Sequence, residues 1–182
     1  MRTGTVTLAG QTVTVTQAGT GYASVTPAVT LASATMNDLV AVAADGAGNV
    51  YFTAGANHAV KEWVAQSNQV ITLVSSGLNN PQGVAVDRDG NVYIADTDNN
   101  AVKEWVAQSN QVITLVGSGL KAPQGVAVDG AGNVYIADTG NNAVKEWLVQ
   151  SNRVVTLVAC AGCVVLSPPS LLSGLAPCLE LL

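Results

Sequence analysis

Charge is scarce in this chain: 10% of its 182 residues are Asp, Glu, Lys or Arg, with seven basic against twelve acidic side chains and a net charge of -5. A phosphate backbone is held by clustered Lys and Arg, so nucleic acid is excluded as a partner. Cysteine is missing until the end of the chain, where Cys160, Cys163 and Cys178 stand. The bulk of the chain therefore neither needs nor excludes an oxidising compartment. His58 is the single histidine. No segment has the 3.6-residue periodicity of an amphipathic helix. The opening MRTGTVTLAG lacks an apolar run of signal-peptide length, so no secretion signal is visible in it. Residues 154–179 carry no charge, but Pro168-Pro169 interrupts them before the roughly 20 helical residues of a membrane span accumulate. Membrane insertion is not expected.

What is present is Val, Thr, Ala, Gly and Asn, the composition of short strands joined by tight turns, with 48% hydrophobic residues to build a core. An all-β fold follows. The strongest signal is internal repetition. Asn49-Val50-Tyr51 recurs 42 residues later as Asn91-Val92-Tyr93 and again as Asn133-Val134-Tyr135, with Trp63, Trp105 and Trp147 at the same offset. Residues 59–74 and 101–116 are identical, and 143–158 differs from them at four of sixteen positions. A core fixes only the apolar positions. Here Lys, Glu, Gln, Ser and Asn repeat as well, which indicates recent duplication, so surface identity between repeats is weak evidence for a site.

Within one unit the pattern predicts four strands: Gly83 to Val86, Val92 to Ala95, Ala101 to Val106 and Val112 to Val116. The first two are joined through Asp87-Arg88-Asp89-Gly90-Asn91, whose Asp-Gly pair suits the positive φ angles of a tight hairpin. Asp96-Thr97-Asp98-Asn99-Asn100 joins the second and third, where short Asx side chains bond their own backbone. Ala107 to Gln111 joins the third and fourth. Each unit is then a four-stranded antiparallel meander, apolar on both faces. Such sheets bury both faces by stacking radially, which predicts a segment of a β-propeller with about three blades, an incomplete ring.

The strings GVAVDRDGNVYIADTDNNAVKEW and GVAVDGAGNVYIADTGNNAVKEW resemble NHL repeats, over roughly residues 38 to 158. The resemblance implies a propeller, most typically six-bladed, and divides the region into units 38–79, 80–121 and 122–158. The first unit departs from the pattern: Leu39 stands for Pro81, Ala41 for Gly83 and Ala54 for Asp96, which predicts weaker turns there. Residues 4–17 (GTVTLAGQTVTVTQ) are similar to the C-terminal hairpin of BACON domains, immunoglobulin-like modules of bacterial extracytoplasmic proteins, making residues 1–19 a remnant of one. Residues 20–37 form a linker in which Val29-Thr30-Leu31, one period before Ile71-Thr72-Leu73, supplies an outer strand. Residues 159–182 leave the repeat pattern.

Candidate sites are few. Asp87, Asp89 and Asn91 alternate as calcium ligands do, but Gly90 is fourth rather than sixth in the loop and strands flank it, so a hairpin turn is the better account. Asp96, Asp98, Asn99, Asn100, Asp138, Asn141 and Asn142 would gather along one rim as an acidic, amide-rich surface suited to a cation or sugar hydroxyls, although turn capping explains the same residue types. His58 occupies the turn position of Asn100 and Asn142 and reads as a turn residue. Similar propellers that act as lyases or lactonases use His or acidic ligands around an axial metal, and no such set is legible here. Cys160-x-x-Cys163 with Cys178 falls short of the four ligands of a structural zinc site. The Trp series reads as blade packing.

The expectation is thus a non-catalytic NHL-type propeller segment, extracytoplasmic or secreted, presenting a protein- or carbohydrate-binding scaffold without a cofactor. A propeller-fold lyase or lactonase is the alternative, and a sensor domain of a receptor Ser/Thr kinase another, though no kinase motif occurs. Three blades leave an apolar face at each end of the stack, which predicts a homodimer or larger species.

Overall fold

The computed structural model describes residues 2–8, 11–17, 38–159 and 164–165. It divides into two units, Met1–Met36 and Asn37–Leu182. In the first, β1 (Arg2–Leu8) and β2 (Gln11–Gln17) form an antiparallel hairpin, in register from Arg2↔Gln17 to Leu8↔Gln11. A hairpin is what the alternation of Thr and Val through this stretch predicts. The expected strand at Val29-Thr30-Leu31 and the three cysteines lie outside the described residues.

The second unit holds three antiparallel sheets, each strand pairing with its neighbour in sequence. The first blade is β3 (Leu39–Ala44), β4 (Val50–Ala54), β5 (Ala59–Val64) and β6 (Gln69–Val74). The second is β7 (Pro81–Val86), β8 (Val92–Asp96), β9 (Ala101–Val106) and β10 (Gln111–Val116). The third is β11 (Pro123–Val128), β12 (Val134–Asp138), β13 (Ala143–Leu148) and β14 (Arg153–Ala159). A short β15 (Val164–Val165) adds to the third sheet beside Val158 and Ala159, so two residues of the off-pattern tail continue the blade.

The strands expected within the repeats are all present, with differences at their ends. β7 begins at Pro81 rather than Gly83, and its register with β8 shifts between those two residues, an irregularity that recurs between Pro123 and Gly125 and between Leu39 and Val42 and so belongs to the repeat rather than to proline. β10 begins one residue earlier, at Gln111. In the first hairpin turn only the glycine takes positive φ: Gly90 at 84°, like Gly48 at 86° and Gly132 at 88°. Asp89 does not share it, because Asp87 closes the turn through its side chain. The second connection is more ordered than expected: a 3-10 turn over Thr97–Asn99, closed by Asn100 in the left-handed region. The departures in the first unit do not cost it a blade; its 3-10 turn, Gly55–Asn57, ends on left-handed His58 in the same way.

Neighbouring blades meet through two apolar clusters of the same design. Tyr51, Val60, Val74 and Leu78 of the first repeat pack on Val84, Val92, Ile94 and Trp105 of the second. Tyr93, Val102, Val116 and Leu120 of the second pack on Val134, Ile136 and Trp147 of the third. Trp105 and Trp147 thus belong to the interfaces between blades. The inner strand β7 lies against both β3 and β11. The approach is closest at Gly83, where an added Cβ would stand 2.5 Å from the Gln124 carbonyl oxygen and 3.0 Å from the Gly125 Cα. Only glycine fits there.

Candidate functional site

The repeated polar residues sort into two constellations, one at each end of the blades. At the turns between the first and second strands, Asp45 Oδ1 accepts the Ala47 and Asn49 N–H groups, both at 2.9 Å. Its Oδ2 accepts Asn49 Nδ2 at 2.8 Å and the Tyr51 hydroxyl at 3.1 Å. Asn49 Oδ1 in turn accepts the Ala65 N–H at 3.0 Å, tying this turn to the one between the third and fourth strands. Asp87, Asn91, Tyr93 and Ala107 repeat the arrangement. So do Asp129, Asn133, Tyr135 and Val149.

Burial raises the Asp45 carboxyl, but its bonds to Asn49, Tyr51 and Ala47 outweigh this and hold it below the ordinary Asp value. At Asp129 the bonds to Asn133 lead, with the same outcome. The Tyr51 and Tyr93 hydroxyls are pushed up by burial and by the neighbouring Glu62 and Glu104 carboxylates. Burial also raises Glu62 and Glu104 themselves. The oxygens of Asp87 that suggested a calcium loop are therefore committed to the turn. A hairpin is what they make.

The second constellation lies at the other end. The sequence places Asp96 and Asp138 on an open rim, and the structure does not: both are fully buried. Asp96 accepts the Asn79 N–H at 2.7 Å and Asn99 Nδ2 at 2.8 Å, and pairs with Lys103 Nζ at 2.7 Å. Asp138 accepts the Lys121 N–H at 2.6 Å and Asn141 Nδ2 at 2.7 Å, and pairs with Lys145 at 2.6 Å. Each lysine also donates to a carbonyl of the preceding inter-blade loop, Gly77 for Lys103 and Gly119 for Lys145. Burial acts to raise Asp138, yet the Lys121, Lys145 and Asn141 contacts prevail and lower it. Each cluster fastens the loop that enters its blade.

Of the remaining rim residues, Asn99 and Asn141 serve these carboxylates, and Asn100 Oδ1 accepts the Ala122 N–H of the next blade at 2.8 Å. Asp98, Asn99, Asn100, Asn141 and Asn142 are exposed, so the rim keeps an amide-rich surface without its two buried aspartates. His58 does what Asn100 does: its Nδ1 accepts the Asn80 N–H at 2.8 Å, a bond that leaves the proton on Nε2. Sequence reasoning found its turn position but not this bond across the blades.

The feature missed in the sequence is the concavity at the hairpin end. The three first turns converge on an open depression of about 310 Å³ lined by Asp45, Gly46, Asp87, Arg88, Asp129 and Gly130. Equivalent residues of all three blades build it. Arg88 breaks the equivalence, since Gly46 and Gly130 stand at its place in the other units. It is exposed and reaches the next blade, its Nη2 lying 3.8 Å from where a Cβ would stand on Gly130. Among the described residues no three His, Cys, Asp or Glu side chains are placed to hold a metal ion. None of their helices is long and apolar enough to cross a membrane.

The NHL repeat model matches residues 78–105 and 120–147, that is, the last residues of each inter-blade loop and the first three strands of the second and third blades. No curated protein matches the chain. Among solved structures, a nidogen/laminin complex superposes with a TM-score of 0.63 at 19% identity, over 69% of this chain and 50% of that one. Virginiamycin B lyase from Staphylococcus aureus superposes with a TM-score of 0.60 at 11% identity, over 86% of this chain and 48% of the enzyme. A catalytically inactive variant of that lyase with quinupristin gives 0.59 at 11% identity, over 86% of this chain and 48% of the enzyme. The chain thus spans about half the length of these structures, and at such identities the likeness is one of fold. Residues 78–105 and 120–147 thus match the NHL repeat model, and residues 38–159 fold as three blades of a β-propeller.

Proposed function

We propose that this segment is a non-catalytic binding scaffold whose ligand, a protein or carbohydrate, seats at the hairpin end over Arg88. The observation that carries this reading is the depression itself, built from one turn of every blade and open to solvent, with the single basic side chain of those turns on its wall. The three aspartates are engaged within their turns, so Arg88 and the turn backbone are what the opening offers. A guanidinium beside exposed peptide groups suits a carboxylate- or hydroxyl-bearing protein loop or glycan. The exposed amides Asn99, Asn100, Asn141 and Asn142 with Asp98 form a second polar surface for the same ligand classes. The protein reading has support from the nidogen/laminin complex among the similar folds.

The same reading takes the β1–β2 hairpin as the end of a BACON-like module and places the protein outside the cytoplasm of a bacterium. The alternative, an enzyme, has a lyase among the similar folds, but His58 here is engaged with a backbone N–H. The test is an array of glycans and of acidic and neutral peptides, probed with the wild type, Arg88→Ala and His58→Ala. Binding lost in Arg88→Ala and kept in His58→Ala is expected. Turnover of quinupristin or of a lactone panel with added divalent metal, lost in His58→Ala, would overturn the scaffold reading.

A further inference from the structure

The two ends of the blade stack carry the two halves of an interface that the molecule already makes twice. Between blades, one partner contributes Val60 and Val74, or Val102 and Val116, and the other contributes Val84 or Val126. On the last blade the first set recurs without a partner: Val102 is 0% exposed but Val144 is 40%, and Val116 is 4% exposed but Val158 is 42%. On the first blade the second set recurs without a partner: Val84 is 7% exposed but Val42 is 69%, with Leu39 and Val40 exposed beside it. Solvent-facing valines at positions otherwise sealed mark two halves of one contact.

The polar contacts across the blades agree. Thr97 Oγ1 donates to the Pro123 carbonyl of the following blade at 2.7 Å. Its counterpart Thr139 is exposed and turns back to its own blade, donating to the Ala137 carbonyl at 3.4 Å. His58 and Asn100 each accept an N–H from the next blade, and Asn142, their counterpart, stands on the last blade. Gly83 yields space to Gln124 and Gly125 of the next blade, whereas at the equivalent Gly125 an added Cβ would meet only Ala137 of its own blade, at 3.4 Å.

We infer that the open face of the third blade binds the open face of the first blade of a second copy, head to tail, as a third instance of the contact between blades. Val144 and Val158 then cover Val42 of the second copy, Thr139 Oγ1 donates to its Leu39 carbonyl, and Gly125 receives its Val40. The interface is heterologous, because each copy offers a different face to the other. Repetition of the same residues is what makes the two faces complementary, and it holds whatever ligand the hairpin end binds.

Light scattering on the full chain across micromolar concentrations, with Val42→Asp and Val144→Asp as variants, tests this. The wild type is expected to form dimers or larger species, and each variant to be monomeric with an unchanged circular dichroism spectrum. Mixing the two variants is the decisive arm: each retains the face the other lacks, so a one-to-one pair, and nothing larger, is expected. Val42→Ser and Val144→Ser replace them if an aspartate prevents folding. A wild type that stays monomeric would overturn the inference, with the faces then covered by other parts of the same chain. Folded variants that fail to pair when mixed would overturn it equally, since a symmetric contact does not complement in this way.

Discussion

At the scale of single residues, the repeat shows how one carboxylate organises a blade. Asp138 gathers a backbone N–H, an amide and an ammonium group in a site closed to water, and removal of one member of such a buried pair costs about 3–5 kcal/mol. Asp138→Ala should therefore lower the melting temperature by many degrees. The lowered carboxyl sets the pH dependence: its stabilisation is present above the unfolded value of 3.8 and is lost as pH falls through the folded value. The gap in melting temperature between wild type and Asp138→Ala should be full at neutral pH and should close on strong acidification; a gap independent of pH would refute the ion-pair account.

The first blade offers the converse. Ala54 stands where the others have Asp, yet Asn57 and Lys61 keep the places of Asn99 and Lys103, and Lys61 bonds Thr72 Oγ1 at 3.1 Å instead. Ala54→Asp should regain the Asn57 and Lys61 contacts and raise the melting temperature; a fall would mean that desolvation outweighs those two contacts.

At the scale of elements, the inner strands determine how tightly blades pack. Gly83 and Gly125 are the same residue of the repeat in different surroundings: backbone of the next blade lies against the first, and ordinary contact distance surrounds the second. Gly83→Ala forces β7 and β11 apart and should cost about 1–3 kcal/mol, as overpacking does. Gly125→Ala should leave the melting of a dilute monomer nearly unchanged. Equal losses at the two sites would contradict the observed approach of β7 to β11. The strands themselves were legible because Asp-x-x-Gly-Asn and Asn-Asn turns punctuate runs of Val, Ile and Ala, a local signal of period two. The start of β7 at Pro81 was not, because a bulge depends on the partner strand as well as on its own sequence.

At the scale of the whole molecule, the circular dichroism spectrum should be of β type with almost no helix, because the helical content of the described residues is three 3-10 turns of three residues each. A helix-rich spectrum would be incompatible with the blade architecture. Stacking is also what gives identical residues different surroundings: Trp105 and Trp147 are buried in an interface while Trp63, on the outermost face, is half-buried. Position in the stack decides this, and the repeat unit does not encode it.

By itself, the sequence determined the blade count, the strand order within each blade, the hairpin turns and the residue types that pack between blades, because a 42-residue repetition displays local periodicity and turn chemistry three times over. The tertiary structure alone decided what the polar positions do. Asp96 and Asp138 looked like surface groups because Asp is usually exposed, but an incoming loop and a lysine from the adjacent strand close over each of them. The depression at Arg88 was invisible for a related reason: its walls come from residues 42 apart that meet only when the three sheets stack, and no local pattern records that meeting.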